Sequence, residues 1–312
     1  MKIIKSIYSF LKEKQNYIRK FGLILGFGIL IRQIIVLSSN FKIYLFDFET
    51  FNYVLISFFF ILLALIMQII SWKLIMNLLD INIPMIGAIL GYMLSFLPKY
   101  IPGTIWGYLS RNEWLKNEYK VDKYLTTIGS ILEIFLIIVS IINLLFIYIS
   151  ITMNNFLFLL ITIFILFFSY YLIKIVLNNK RFIKIRKTRK IKISIKFWIF
   201  GFITETTMWI LYGASVYFLI INNSNFNWFY NILYSTISFS LSWFIGFLIV
   251  FIPSGIGVRE EIFANLLNYH FQLSYINTLG VAIIFRVLIS LGELFLSSLG
   301  FLKKKFYRNL YK

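Results

Sequence analysis

Residues 124–177 read YLTTIGSILEIFLIIVSIINLLFIYISITMNNFLFLLITIFILFFSYYLIKIVL, a stretch in which Glu133 and Lys174 are the only charges. A bilayer core takes about 20 apolar residues per helix. The stretch therefore divides into two spans, 124–150 and 155–177, joined by a minimal turn at Met153-Asn154-Asn155. Directly after it, residues 178–196 (NNKRFIKIRKTRKIKISIK) carry nine Lys or Arg and no acid, so the positive-inside rule places this loop in the cytoplasm. Two spans and an orientation follow from one continuous segment.

The whole chain agrees with that reading. Of its 312 residues 60% are hydrophobic and 20% aromatic, and its mean hydropathy is +0.84, which excludes a water-soluble fold. Lys and Arg outnumber Asp and Glu 31 to 12; an excess confined to loops and tails sets topology, and no nucleic-acid partner is expected from it. Absence of cysteine removes disulfides, thiolate nucleophiles and Cys-ligated metals, and His270 is the single histidine. No metal and no cofactor is expected.

Working outward, residues 1–20 place Ile3, Ile7 and Leu11 among six cationic side chains, as a cytoplasmic amphipathic interfacial helix does. Residues 21–37 form a first span without a cleavage site, read as an uncleaved signal anchor. A slightly acidic outer loop, 38–50, leads into the span 51–79. Residues 84–97 are too short to cross and run into Pro98-Lys99-Tyr100-Ile101-Pro102-Gly103, so a re-entrant hairpin entering from the cytoplasmic side is expected there. After the basic loop, 197–221 crosses outward. Residues 228–252 then meet Pro253-Ser254-Gly255-Ile256-Gly257 and a shorter helix at 258–269, a second broken hairpin. The last span, 277–302, ends in Lys303-Lys304-Lys305 and a basic cytoplasmic tail, 303–312.

The expected fold is an all-α polytopic membrane protein with about six spanning helices plus two re-entrant Pro/Gly hairpins. It has one transmembrane domain, 21–302, with both termini in the cytoplasm. Residues 21–150 and 155–302 repeat the order span, span, hairpin, span from opposite sides, an order consistent with an inverted-topology repeat. In transporters of this kind, broken helices near the midplane build the substrate site. The helix starts expected at Thr104 and Val258 suit an anionic group, with Lys99, Arg111 and Arg259 close by in sequence and an acid at Glu260. Ordinary loops at Pro98, Pro102 and Pro253 explain the same residues equally well.

Arg32, Glu133, Glu205, Arg286 and Glu293 fall inside expected spans, where an unpaired charge costs roughly 3 kcal/mol on insertion scales. Glu133, Glu205, Arg286 and Glu293 are expected to form one interior network that Arg32 joins. Salt bridges that fix helix register and a role in moving substrate or protons both fit. Lys73, near the inner end of its span, snorkels to the headgroups. His270 reads as an interfacial residue rather than a proton relay.

FLPKYIPGTIWGYLSR (96–111), the span bearing Glu133, and FIPSGIGVREEIFANLL (251–267) together resemble the lysylphosphatidylglycerol synthase transmembrane region, or flippase-like, family. The second motif, with Pro253, Gly255, Gly257, Arg259 and Glu260, is the more specific. The first, with Pro98, Pro102, Gly103 and Arg111, is looser. The resemblance implies an integral plasma-membrane (inner-membrane) protein that moves or handles an anionic phospholipid or lipid-linked saccharide in envelope or polysaccharide biosynthesis, alongside envelope-biosynthesis enzymes. The soluble aminoacyl-transferase and glycosyltransferase domains that some members carry have no counterpart up to Lys312, so neither chemistry is expected of the chain alone. Two other readings stand beside it. One is a membrane-embedded glycosyltransferase using a polyprenyl-phosphate sugar, with Asp47 and Glu49 as its acidic pair; the other is an accessory subunit of an envelope synthase.

Overall fold

A computed structural model describes residues 28, 31–33, 35, 48–100, 106–179, 194–220, 227–249 and 252–310. The amphipathic segment 1–20, most of the first span, Asp47, Pro102, Gly103, Thr104, most of the basic loop and the outer loop 222–226 lie outside them. Nine α-helices are found among the described residues from Phe48 onward: α1 (Phe48–Leu78), α2 (Met85–Met93), α3 (Trp106–Tyr119), α4 (Lys123–Thr152), α5 (Leu157–Leu177), α6 (Ile195–Ile220), α7 (Trp228–Leu248), α8 (Val258–Phe271) and α9 (Tyr275–Leu310). Short 3-10 turns at Pro98–Tyr100 and Pro253–Gly255 stand between α2 and α3 and between α7 and α8. The chain is an all-α, multi-pass membrane protein.

Five helices are long and apolar enough to cross a bilayer, at Phe51–Leu78, Lys123–Thr152, Leu157–Leu177, Trp228–Leu248 and Tyr275–Lys303. Two of the span assignments differ from those expected. Residues 228–248 have full spanning length although they form the first arm of the second hairpin. Helix α6, expected as a span, reaches 26 residues but is not among the five, because Lys196, Glu205 and its Thr, Trp and Tyr residues dilute its apolar content. Helix α9 runs on through Lys303-Lys304-Lys305 to Leu310, so the basic tail is largely helical; lysine favours helix and nothing before Leu310 breaks it. At the other end, α1 already includes Phe48, Glu49 and Thr50, shortening the outer loop.

The helices pack by exchange between halves. Helices α1 and α6, the second long helix of each half, share the most extensive interface, and Ser57 Oγ lies 2.7 Å from Ser215 Oγ across it. Helix α9 packs on α2 while α4 packs on α7, and α8 packs on α9 while α3 packs on α4. Each helix–helix contact thus has a counterpart under exchange, apart from those of α5, whose counterpart precedes Phe48. Helix α5 lies at the periphery, with Phe164, Phe167 and Phe168 exposed. Trp72, Trp198, Trp209 and Phe285 are fully buried at the centre.

Candidate functional site

The two hairpin turns meet inside the bundle. At the first, α2 ends at Met93 and a 3-10 turn that opens at Pro98 carries Lys99 and Tyr100 against α9. Lys99 Nζ donates to Glu293 Oε1, and the Tyr100 hydroxyl donates to Glu293 Oε2 at 2.7 Å. At the second, Ser254, Gly255 and Gly257 have φ of 53°, 64° and 86°. Such angles cost an ordinary L-residue about 1–2 kcal/mol, which is why glycine recurs there. Gly257 then opens α8, and its N–H donates to Glu260 Oε2 at 2.6 Å. The Glu260 carboxylate thus turns back on the start of α8 and occupies the N–H of its cap residue.

Charged side chains from both halves gather around these turns. Arg111, only 3% exposed, donates from Nη1 to Glu133 Oε1 at 2.9 Å, with Nη2 2.8 Å from Oε2. Tyr92 donates to the same Oε1 at 2.9 Å, and the guanidinium lies over the rings of Tyr92, Tyr108 and Trp72. In the other half, Arg286 Nε stands 3.6 Å from Glu260 Oε1 and Nη2 donates to the Ser254 carbonyl at 3.4 Å. Polarity is reversed between halves: the hairpin arm supplies the cation on α3 and the anion on α8.

Arg259 differs from all of these. Among the described residues it makes no ion pair, its buried Nε has no hydrogen-bond partner, and its guanidinium lies 5.3 Å over the Trp243 ring. Its side chain threads between two glycines: a Cβ on Gly246 would fall 2.3 Å from Arg259 Cγ, and one on Gly255 2.7 Å from its Nε.

A partly open cavity of about 110 Å³ is walled by Lys99, Arg111, Arg259, Arg286, Glu293 and the aromatic rings between them. Of the residues singled out in the sequence, the structure brings these five together here, with Glu260 and Glu133 bonded to two of the cations. Arg32 is exposed and away from the cavity. Its neighbour Gln33 is the residue that docks, donating to the Gly257 carbonyl at 2.8 Å and to Glu261 Oε2 at 3.1 Å. Rather than one network, the interior charges therefore form three separate ion pairs, Arg111 with Glu133, Lys99 with Glu293, and Arg286 with Glu260 rather than Glu293. Glu205 is fully buried beside Ser71 and makes no ion pair among the described residues. Tyr92, Tyr108, Trp243 and Gln33 carry no sequence signal that separates them from ordinary apolar or polar helix positions.

Lys73 donates to Asn77 Oδ1, one turn on. His270 stacks on Tyr234 with centroids 3.8 Å apart, and burial lowers its pKa from the usual histidine value, so the ring stays neutral at neutral pH. Glu49 sits in the first turn of α1, and its partner in the acidic pair, Asp47, lies outside the described residues. No group of three His, Asp or Glu converges as metal ligands do among the described residues.

No protein-family model matches this sequence, and no curated protein matches it significantly. The site is a partly open, aromatic-walled, cation-rich cavity within a membrane protein.

Proposed function

We propose that this chain is a flippase-like protein of the plasma (inner) membrane that moves or handles an anionic phospholipid or lipid-linked saccharide in envelope or polysaccharide biosynthesis. The anionic headgroup enters the cavity between the hairpin turns and the acyl or prenyl chains stay in the bilayer. One observation carries the reading. Arg259 presents a guanidinium to the cavity with no carboxylate of its own among the described residues, although a lone cation at membrane depth is costly unless it meets a partner or water. A headgroup phosphate is such a partner, and guanidinium is the cation best matched to it.

The test is reconstitution into liposomes carrying a trace of fluorescent phosphatidylglycerol, with movement between leaflets followed by quenching of the outer pool. Arg259→Ala is expected to slow movement about tenfold or more, as loss of a hydrogen bond to a charged group, about 1.5–3 kcal/mol, requires. Movement at the wild-type rate in Arg259→Ala, with the protein folded, refutes the assignment.

A further inference from the structure

Resting on the headgroup reading above, we infer that the cavity selects a headgroup with one net negative charge and no ammonium group, that is, a single phosphodiester. Four cations reach its wall: Lys99, Arg111, Arg259 and Arg286. Three are matched one to one, Lys99 by Glu293, Arg111 by Glu133 and Arg286 by Glu260. Each of these carboxylates is also held by a second donor: Tyr100 on Glu293, Tyr92 on Glu133, and the Gly257 N–H on Glu260. Arg259 has no ion-pair partner among the described residues, which leaves the described wall with one uncompensated positive charge.

That arithmetic discriminates between lipids. A phosphodiester brings one negative charge and neutralises Arg259. A diphosphate brings at least one more, which the wall does not offset and which the surrounding membrane makes expensive. A headgroup with an ammonium fares worse, because every carboxylate on or bonded to the wall already has a cation, and the incoming charge meets only guanidinium and lysine. The Arg259 side chain runs through the space that Gly246 and Gly255 leave, so a larger residue at either position would displace it. Phosphatidylglycerol and a polyprenyl-phosphate hexose share the fitting chemistry; phosphatidylethanolamine, lysyl-phosphatidylglycerol and polyprenyl diphosphates do not.

Binding of these five lipids to the full-length protein in detergent, read by native mass spectrometry, tests the inference. Phosphatidylglycerol and the polyprenyl-phosphate hexose are expected to bind about tenfold or more tighter than the other three, and the tighter of the two identifies the lipid class. Arg259→Gln should collapse the preference and Arg259→Lys should keep part of it. Glu293→Gln supplies an independent check: it frees Lys99, raises the wall charge by one, and should move the preference to the diphosphate. Wild-type protein that prefers the diphosphate or the lysyl lipid, an Arg259→Gln variant with selectivity intact, or a folded Glu293→Gln variant with unchanged ranking overturns the inference. If anionic lipids bind through Arg259 but the diphosphate wins, only the single-charge rule falls. If no anionic lipid binds at all, the headgroup reading falls with it.

Discussion

Arg111 and Glu133 show how a charge is kept at membrane depth. Two nitrogen–oxygen contacts at 2.9 and 2.8 Å, a tyrosine hydroxyl on the carboxylate and three aromatic faces around the guanidinium replace the water both groups have lost. Such a pair adds little net stability over an apolar pair, but removing one member leaves the other stranded. Glu133→Ala is therefore expected to destabilise the protein by about 3–5 kcal/mol, read as a lowered unfolding midpoint in detergent. The double variant Arg111→Met with Glu133→Leu should recover much of the loss. A Glu133→Ala midpoint equal to wild type would mean that the pair is wet and replaceable. Glu133 was legible in the sequence as a charge inside a span, and Arg111 only as a cation near the first hairpin turn. Their pairing was not, because helix rotation and depth decide which charges meet, and spacing along one helix says nothing about either. Glu293 illustrates this: seven residues from Arg286 on one helix, it bonds instead to Lys99 and Tyr100 of the first turn.

At the scale of elements, glycine decides how closely helices approach. A Cβ on Gly213 of α6 would meet Thr236 Oγ1 at 2.0 Å, Thr236 N at 2.7 Å and the Ile232 carbonyl at 2.8 Å; two of these atoms are backbone of α7 and move only if the helices part. On Gly87 of α2 the obstacle is the Tyr119 hydroxyl at 2.0 Å, the far end of a side chain that can swing aside. Gly213→Ala should thus cost about 1–3 kcal/mol and exceed Gly87→Ala, measured as unfolding midpoints under one detergent condition. The reverse order would show that α6 and α7 adjust more freely than the first hairpin. The breaks themselves were readable from Pro98, Pro253 and the glycines after it, since these residues terminate helices by their own geometry. The span assignment of α6 and of residues 228–248 was less secure. Hydropathy weighs composition, whereas burial beside other helices lets α6 carry Glu205, and the first arm of a hairpin has no fixed length.

For the whole molecule, the exchange of contacts between halves and the meeting of the two turns make orientation the decisive measurement. If residues 178–196 are cytoplasmic, α4 runs outward, α5 inward, α6 outward and α9 inward. The first hairpin then enters from the cytoplasm and the second from outside, so their turns converge on the Lys99 and Ser254 side of one cavity from opposite faces. The chain has no cysteine, so single cysteines report sidedness without a background. Asn154 in the α4–α5 turn and Asn227 at the start of α7 should react with a membrane-impermeant maleimide in intact cells as Asn154→Cys and Asn227→Cys. Asn179→Cys, just past α5, should react only after the membrane is opened. Labelling of Asn179→Cys in intact cells would invert the topology, and labelling of Asn154→Cys and Asn227→Cys from different sides would break the parity on which opposed hairpins depend. With the expected pattern, the two turns reach the cavity from opposite faces of the membrane, and the headgroup site proposed at Arg259 would lie between them.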